Sequence, residues 1–415
     1  MPGVPDAEPI FGQAVSVNGR GNARVQSGAR YFLAKGPVPG DRLSFVPPEQ
    51  GHTLKQWELV QGAEGRRQSP CPVAERCGGC RLMCLDETVQ HAIQVDRLTN
   101  ALLSQGVDLA LLPHEIEIGS ALLYRNRIRL QVNSEGALRF FNPNKAISCA
   151  VLEPELAACV VKLTARVFSG VSEARFVELR SRDLDGQFGV HVVPKRQLSG
   201  GTAEWAKIHS ELGPEFLVGV EGEGEPPVQR FALTDGLYFY APLGSFIQVN
   251  SGMNARLVAW VTDRVLETGA GVFWDLFCGV GNFSLPLLKR GLRGVGVEID
   301  PHAVAAAVRS SLEQGLKGRF IAADVGGWLE QSQSELPDVV IVDAPRAGAQ
   351  AALSVIAQVA RKCVLMVSCC PETLARDIGT LEREGWKLTR VQMFDMFPQT
   401  HHIEVAAELV RAPCV

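Results

Sequence analysis

An α/β fold is expected for this chain: an open, mainly parallel sheet with helices on both faces, preceded by a small β-barrel and a mixed central region. Three observations predict it. After about residue 241 the sequence alternates apolar strand-like runs with helix-like stretches, the texture of repeated β-α-β units. Residues 10–60 hold short β-type runs broken by Gly and Pro, as in a small barrel. A length of 415 residues is also too great for one ordinary core, so two or three domains are expected. The boundaries are placed at 8–62, 63–240 and 241–415.

In the first region the β-type runs are 12–17, 31–34 and 42–46, with a Pro/Gly turn at 37–41, and a polar linker at 61–69 follows. A helix is predicted over 85–105, because Leu85, Val89, Ala92 and Leu103 fall near one line at 100° per residue. Residues 115–240 read as strand-rich without a catalytic motif. Seven strands are predicted beyond them, at 272–277, 294–299, 319–323, 338–342, 363–368, 388–394 and 403–410, with helices between the first six. Asp300-Pro301 supplies an N-cap and a first-turn proline, Gly315 a stop, and Pro371 a second helix start.

Apolar residues are 46% and charged residues 21% of the chain, the balance of a soluble globular protein. Residues 1–10 lack the basic end and apolar stretch of a signal peptide. No uncharged apolar run approaches the roughly 18 residues of a membrane span. A cytoplasmic location and no membrane partner are therefore expected. Net charge is −4, so a nucleic-acid partner requires a local basic surface. Arg20, Arg24, Arg30, Lys35 and Arg42, then Arg125, Arg127 and Arg129, offer one, although such runs by themselves read as solvated strand faces. Eleven cysteines without an export signal point away from a disulfide framework and toward metal ligation, a nucleophile and core packing.

The chemistry-bearing motifs sit at strand ends. The first strand runs through Asp275 and Phe277 into Cys278-Gly279-Val280-Gly281-Asn282, where Gly279 and Gly281 let the backbone pass close under a ligand. Glu298 ends the second strand, placed to accept from two ribose hydroxyls. The third glycine of the dinucleotide fingerprint is missing, which favours S-adenosylmethionine over nicotinamide or flavin, with a plain structural turn the remaining reading. The fourth strand ends at Asp343-Ala344-Pro345-Arg346 and the fifth at Ser368-Cys369-Cys370-Pro371. If these strands are neighbours, Asp343 and Cys369 share one rim. A lone strand cysteine is ordinarily core packing, but Cys369 precedes a helix N-terminus, which is expected to lower its pKa. Glu404 begins the last strand and is a candidate base. His401 and His402 lack a third ligand at metal spacing, so structural roles are expected for them. The spacing of Cys71, Cys77 and Cys80 suits an iron–sulfur cluster, with zinc as competitor and Cys149 or Cys84 as the fourth ligand.

Taken together these residues resemble the iron–sulfur branch of the RNA 5-methyluridine methyltransferases, over nearly the whole chain. Most specific are Ser368-Cys369 with Pro371, Thr373-Leu374-Ala375-Arg376-Asp377, and Asp395-Met396-Phe397-Pro398-Gln399-Thr400 with Ile403-Glu404; Cys77-Gly78-Gly79-Cys80 and Gly244-Ser245-Phe246-Ile247-Gln248-Val249-Asn250 also match. The resemblance implies a class I, Rossmann-like methyltransferase domain with a seven-stranded sheet, an N-terminal RNA-binding TRAM barrel, and a 4Fe-4S cluster on Cys71, Cys77, Cys80 and Cys149. It implies Cys369 as nucleophile and Glu404 as base. Gln248, Phe277, Asn282, Glu298, Asp324 and Asp343 fall at positions assigned to S-adenosylmethionine or the target base. RNA is the implied partner, 23S rRNA first and tRNA second, for a monomer. Ala344 and Cys370 depart from the family's usual proline and asparagine. An oxidoreductase using the glycine turn and a catalytically silent RNA binder are the alternatives from other classes.

Overall fold

The computed structural model describes residues 8–107, 116–140, 148–167, 174–195, 211–332 and 335–411. Its first unit is a six-stranded sheet of β1 (Ile10–Val17), β2 (Ala23–Ser27), β3 (Arg30–Ala34), β4 (Arg42–Phe45), β5 (Thr53–Leu54) and β6 (Glu58–Gln61), in the order β5-β3-β2-β1-β4-β6. Side chains alternate along each strand, so Ala14, Val25, Phe32, Leu43 and Phe45 fill one core while Phe11, Gln13, Arg24 and Tyr31 face out. Asp41 is fully buried. It accepts from the Val38 and Ala63 amides at 2.8 and 2.9 Å and from Arg66 at 2.6 and 2.7 Å, tying this sheet to the linker that follows.

The middle of the chain contributes α1 (Ala74–Cys77), α2 (Glu87–Leu103), β7 (Ile116–Glu117), β8 (Arg127–Val132), β9 (Leu138–Arg139), α3 (Pro154–Thr164), β10 (Ala174–Arg180), β11 (Phe188–Pro194), β12 (Phe216–Val220), β13 (Val228–Ala232) and β14 (Tyr238–Pro242). Strands β12-β11-β10-β8-β9 form a second sheet on which α3 packs. β13 and β14 make a separate hairpin.

The C-terminal unit alternates α4 (Ser251–Glu267), β15 (Val272–Leu276), α5 (Ser284–Lys289), β16 (Arg293–Glu298), α6 (Pro301–Glu313), β17 (Arg319–Ala322), α7 (Val325–Gln331), β18 (Val339–Asp343), α8 (Leu353–Val359), β19 (Cys363–Ser368), α9 (Pro371–Arg383), β20 (Trp386–Phe394) and β21 (Glu404–Arg411). Asp300 caps α6 through the His302 amide and Pro301 opens it, while Pro371 opens α9. The sheet has eight strands rather than seven, in the order β17-β16-β15-β18-β19-β21-β20-β7. The additional strand is β7, which runs parallel to β20; its two residues are too few to show a period. β21 is antiparallel to both neighbours, β19 and β20.

Within this sheet Val340, Val342, Val364 and Met366 pack toward α2, α7, α8 and α9. Val339, Ile341, Cys363 and Leu365 pack toward α4 and α5. The unbroken apolar runs of β18 and β19 follow from this two-sided burial. Helix α2, although it lies far upstream, buries Leu98, Ala101 and Leu102 in the first of these cores.

Replacing Asp41 leaves the Val38 and Ala63 amides without their acceptor inside the core. Asp41→Ala is expected to lower stability by about 3 kcal/mol, read as a lower midpoint of urea unfolding.

Candidate active site

The carboxyl ends of β15 and β18 open on a cavity of about 240 Å³, whose lining includes Asp343 but neither Cys369 nor Glu404. The chain leaves β15 through Phe277, whose φ of 64° is left-handed, then Gly279 at 53° and Gly281 at 90°. A left-handed phenylalanine is strained. The turn is held by Glu298, which accepts from the Gly279 amide at 3.1 Å and from the Ile299 and Asp300 amides at 2.7 and 3.0 Å. No atom lies within 4 Å of where a Cβ would stand on Gly279.

Of the residues singled out in the sequence, Gln248, Phe277, Gly279, Asn282 and Asp343 line the cavity. Gly281, Glu298 and Asp324 do not belong to that lining. Gly281 packs toward Leu285, Glu298 supports the turn, and Asp324 caps α7 through the Gly327 amide at 3.0 Å. Among the lining residues to which sequence reasoning assigned no role are Asn126, Asn254 and Phe246. Asn126 arrives from the central region and donates to the Gln248 carbonyl and Ser251 Oγ, each at 3.0 Å. Asn254 and Asn282 exchange two amide hydrogen bonds of 2.8 and 3.0 Å, and Phe246 lies beside Gln248 on the wall. Buried Gln248 Oε1 and Asn126 Oδ1 have no hydrogen-bond partner.

Asp343 and Cys369 do share a rim. Asp343 pairs with Val367 across β18 and β19, which puts Cys369 just beyond on the neighbouring strand. Ser368 pairs with Val405 across antiparallel β19 and β21. Continuing that register by one residue sets Cys369 opposite Glu404. Burial, then Asp343, raise the Glu404 carboxyl far above the usual range, with Arg346 opposing. Burial, Asp275 and Glu298 raise Asp343, which is exposed only in part, at the cavity. Asp275 is pushed up to about 7 by burial, against the Ser284 hydroxyl that donates to it at 2.6 Å.

The expectation of a lowered Cys369 thiol is not met. Burial and the Glu404 charge push it up to about 11, outweighing the opposing influence of Arg346, and Asp343 adds to the rise. A helix terminus acts over one turn, whereas here two acids face the sulfur. Arg346 is the functional residue that sequence reasoning passed over; its place three residues after Asp343 was the available signal. Cys370 turns aside, its thiol donating to Glu372 at 3.3 Å, and Ala344 packs against the core.

The loop carrying Glu404 to the rim includes Gln399, left-handed at φ 70°. Helix α2 braces it: Gln90 donates to Gln399 Oε1 at 3.0 Å, Gln94 to the His402 carbonyl at 2.9 Å and Arg97 to the His401 carbonyl at 3.0 Å. The Leu82 amide and the Tyr124 hydroxyl hold the Gln399 and Pro398 carbonyls, each at 3.0 Å.

Tyr124 and Met83 also pack against Cys71, Cys80 and Cys149. Burial, with Cys149, Cys77 and Cys71 nearby, pushes Cys80 up to about 12; burial raises Cys149 too, with Cys77 and Cys71 adding. Cys84 packs against Val38, Ala63, Leu82 and Leu85. Among the described residues no three His, Cys, Asp or Glu side chains form a group that could hold a metal ion, and no helix is long and apolar enough to cross a membrane.

A family model described as tRNA (Uracil-5-)-methyltransferase matches residues 229–316 and 332–412. The chain is 31% identical over 404 residues to the 23S rRNA (uracil(1939)-C(5))-methyltransferase RlmD of Shewanella piezotolerans, covering 91% of this chain and 90% of that protein. With the protein of that name from Pseudomonas aeruginosa it is 31% identical over 424 residues, covering 94% and 91%. Among solved structures, the Pyrococcus abyssi tRNA (uracil-54, C5)-methyltransferase in complex with S-adenosyl-L-homocysteine superposes with a TM-score of 0.70. That match covers 97% of this chain and 100% of that one at 21% identity, a likeness of fold.

The acids make stability depend on pH. Asp275, with a pKa of about 7 against an ordinary 3.8, holds a proton in the folded chain that the unfolded chain releases. Stability should therefore fall as pH rises from about 4 through 7, by at most about 1.4 kcal/mol per pH unit for this one proton. Asp275→Asn keeps an acceptor for Ser284 and should flatten that slope in denaturation measured across this range. An unchanged slope would mean that Asp275 is already ionised in the fold.

Proposed function

This chain belongs to the RNA uracil-5-methyltransferase family, and we propose that it methylates carbon 5 of a uridine in 23S ribosomal RNA with Cys369 as nucleophile and Glu404 as base. The observation that carries the assignment is the juxtaposition of that thiol and that carboxyl at the rim beside Asp343. The ribosomal substrate is favoured by the relatives, which match over nine-tenths of the chain and are named for 23S rRNA. Transfer RNA is the second reading.

The cavity suits S-adenosylmethionine. Gln248 Oε1 is a buried acceptor without a partner, Gly279 leaves room above its backbone, and Asp343 supplies negative charge for a cationic sulfonium. The same acid would repel a pyrophosphate, which counts against a dinucleotide. When bound, the cofactor supplies an electrophilic methyl group. Cys369, as thiolate, adds to carbon 6 of uracil, and the electron pair displaced from the 5,6 double bond makes carbon 5 nucleophilic. After methylation Glu404, as carboxylate, takes the proton from carbon 5, and the carbon–sulfur bond breaks as the double bond re-forms. Its raised pKa makes Glu404 a stronger base once ionised. Asp343 accepts the imide N–H of uracil, a donor that cytosine lacks. The target base must leave any stack to reach this rim.

Residues 8–62 serve as a TRAM-like RNA-binding unit in this reading. Exposed Tyr31 and Phe11 carry Arg24 and Arg42 over their rings at 3.6 and 5.5 Å, a combination that stacks bases and meets phosphates. Cys71, Cys77, Cys80 and Cys149 hold a 4Fe-4S cluster in this reading, supported by the packing of Cys71, Cys80 and Cys149 on one apolar site and by the influence of Cys149, Cys77 and Cys71 on the Cys80 thiol.

Incubation with cofactor and RNA containing 5-fluorouridine should accumulate a covalent adduct at Cys369, because fluorine cannot be abstracted by the base. Cys369→Ala should form none, and Glu404→Gln should slow turnover by about 10²–10⁴-fold while a methylated adduct builds up on ordinary RNA. Wild-type protein that methylates RNA yet never traps the adduct would overturn the mechanism. Purified without oxygen, the chain should carry about four iron atoms. Cys149→Ser should lose them and Cys84→Ser retain them; the opposite pattern would reassign the ligand.

A further inference from the structure

Residues 18–22, the turn between β1 and β2, do not simply point into solvent. Asn18 closes the turn by accepting from the Arg20 and Asn22 amides at 3.0 and 3.1 Å. Arg81, next to Cys80 in the chain, donates to the Gly21 carbonyl, to the Arg20 carbonyl at 3.2 Å and to Asn22 Oδ1 at 3.3 Å. The turn thereby lies against the loop that carries Glu404. Gly21 is left-handed at φ 71°, and a Cβ there would clash with the His401 ring, 2.8 Å from its Nδ1.

His401 is 5% exposed. The Gly19 backbone faces it, but neither ring nitrogen forms a hydrogen bond. Its ring lies 4.0 Å from that of His402, centre to centre. His402 Nδ1 in turn meets Arg346 Nη2 at 3.4 Å. Arginine only donates, so this nitrogen must accept, and the tautomer with its proton on Nε2 follows. Burial, then neighbouring histidine and arginine charges, bring His402 down to about 3, so the ring is neutral in the working range. Arg346 completes the path through its positive charge, which favours the Cys369 thiolate.

We propose that the 18–22 turn is a positioning element for the reaction: seated on His401 it fixes His402, and His402 holds the Arg346 guanidinium beside the Cys369 sulfur. The N-terminal sheet then contributes to the chemistry as well as to RNA capture. Of the charged groups facing that sulfur, Glu404 on β21 and Asp343 on β18 oppose the thiolate and Arg346 favours it. Displacing Arg346 leaves the two acids unopposed, and the thiolate becomes scarcer at a given pH. The inference rests on Cys369 being the nucleophile.

The test follows alkylation of Cys369 by iodoacetamide against pH in the full-length protein, resolved from Cys370 by tandem mass spectrometry, together with kcat and the RNA KM. Gly21→Ala should slow Cys369 alkylation at about pH 8 roughly tenfold, one pKa unit, and lower kcat while KM changes less than about twofold. Gly315→Ala is the control: φ there is 68° and nothing lies within 4 Å of its Cβ position, so it carries the same backbone strain at the end of α6, outside the RNA-binding unit and away from His401, and should leave both readouts unchanged. His402→Ala should reproduce the Gly21→Ala profile. His402→Gln, whose amide oxygen can accept from Arg346, should restore much of the loss. A wild-type alkylation profile in His402→Ala overturns the proposal, even if Gly21→Ala fails to fold. A wild-type chain that never forms the 5-fluorouridine adduct defeats the nucleophile assignment instead, a failure the alkylation profile does not share because it reads the thiol whatever its role.

Discussion

Antiparallel insertion of β21 between β19 and β20 is the constraint on which the site depends. Parallel strands would start at the opposite end of the sheet and take residue 404 away from the rim. Because β21 runs the other way, its first residue arrives where β19 ends, and register sets Glu404 against Cys369. The requirement then moves to the chain that leads into β21. It must reverse direction within the residues between Phe394 and Glu404, which is why Gln399 occupies left-handed backbone and why so many donors converge on its neighbours.

Those donors come from helix α2, from Leu82 in the cysteine-rich segment and from Tyr124, so the loop that leads to Glu404 is held by parts of the chain outside the α/β unit. Gln90, Gln94 and Arg97 are polar side chains buried on a helix. Burying them is unfavourable unless their groups are bonded, and the loop's carbonyls provide most of the partners. Loop and helix therefore stabilise each other. Tyr124, whose hydroxyl holds the Pro398 carbonyl, also packs with Cys71, Cys80 and Cys149, and the Leu82 amide holds the Gln399 carbonyl beside them.

The electrostatics of the rim are unusual for a resting site. Asp275, Asp343, Glu298 and Glu404 stand close enough to influence one another, with Arg346 the cation that acts on both Cys369 and Glu404. Burial favours the protonated forms of these acids, and a cationic ligand in the cavity would shift the balance toward the carboxylates.

Local pattern determined a great deal. The seven long strands, the helices between them, the caps at Asp300-Pro301 and Pro371, and the strand-end places of Gly279, Asp343 and Cys369 were legible because each depends on neighbours within a few residues. Apolar period, cap chemistry and glycine turns are short-range properties. Only the tertiary structure decided that β7 adds an eighth strand, that Cys149 packs on the same apolar site as Cys71 and Cys80, that burial and two acids raise the Cys369 thiol, that Arg346 meets His402, and that the 18–22 turn sits on His401. These depend on pairs such as Gln90 and Gln399, 309 residues apart. No local periodicity encodes a contact at that separation; it exists only after independent elements have packed, when burial and the charges of distant segments act on one atom.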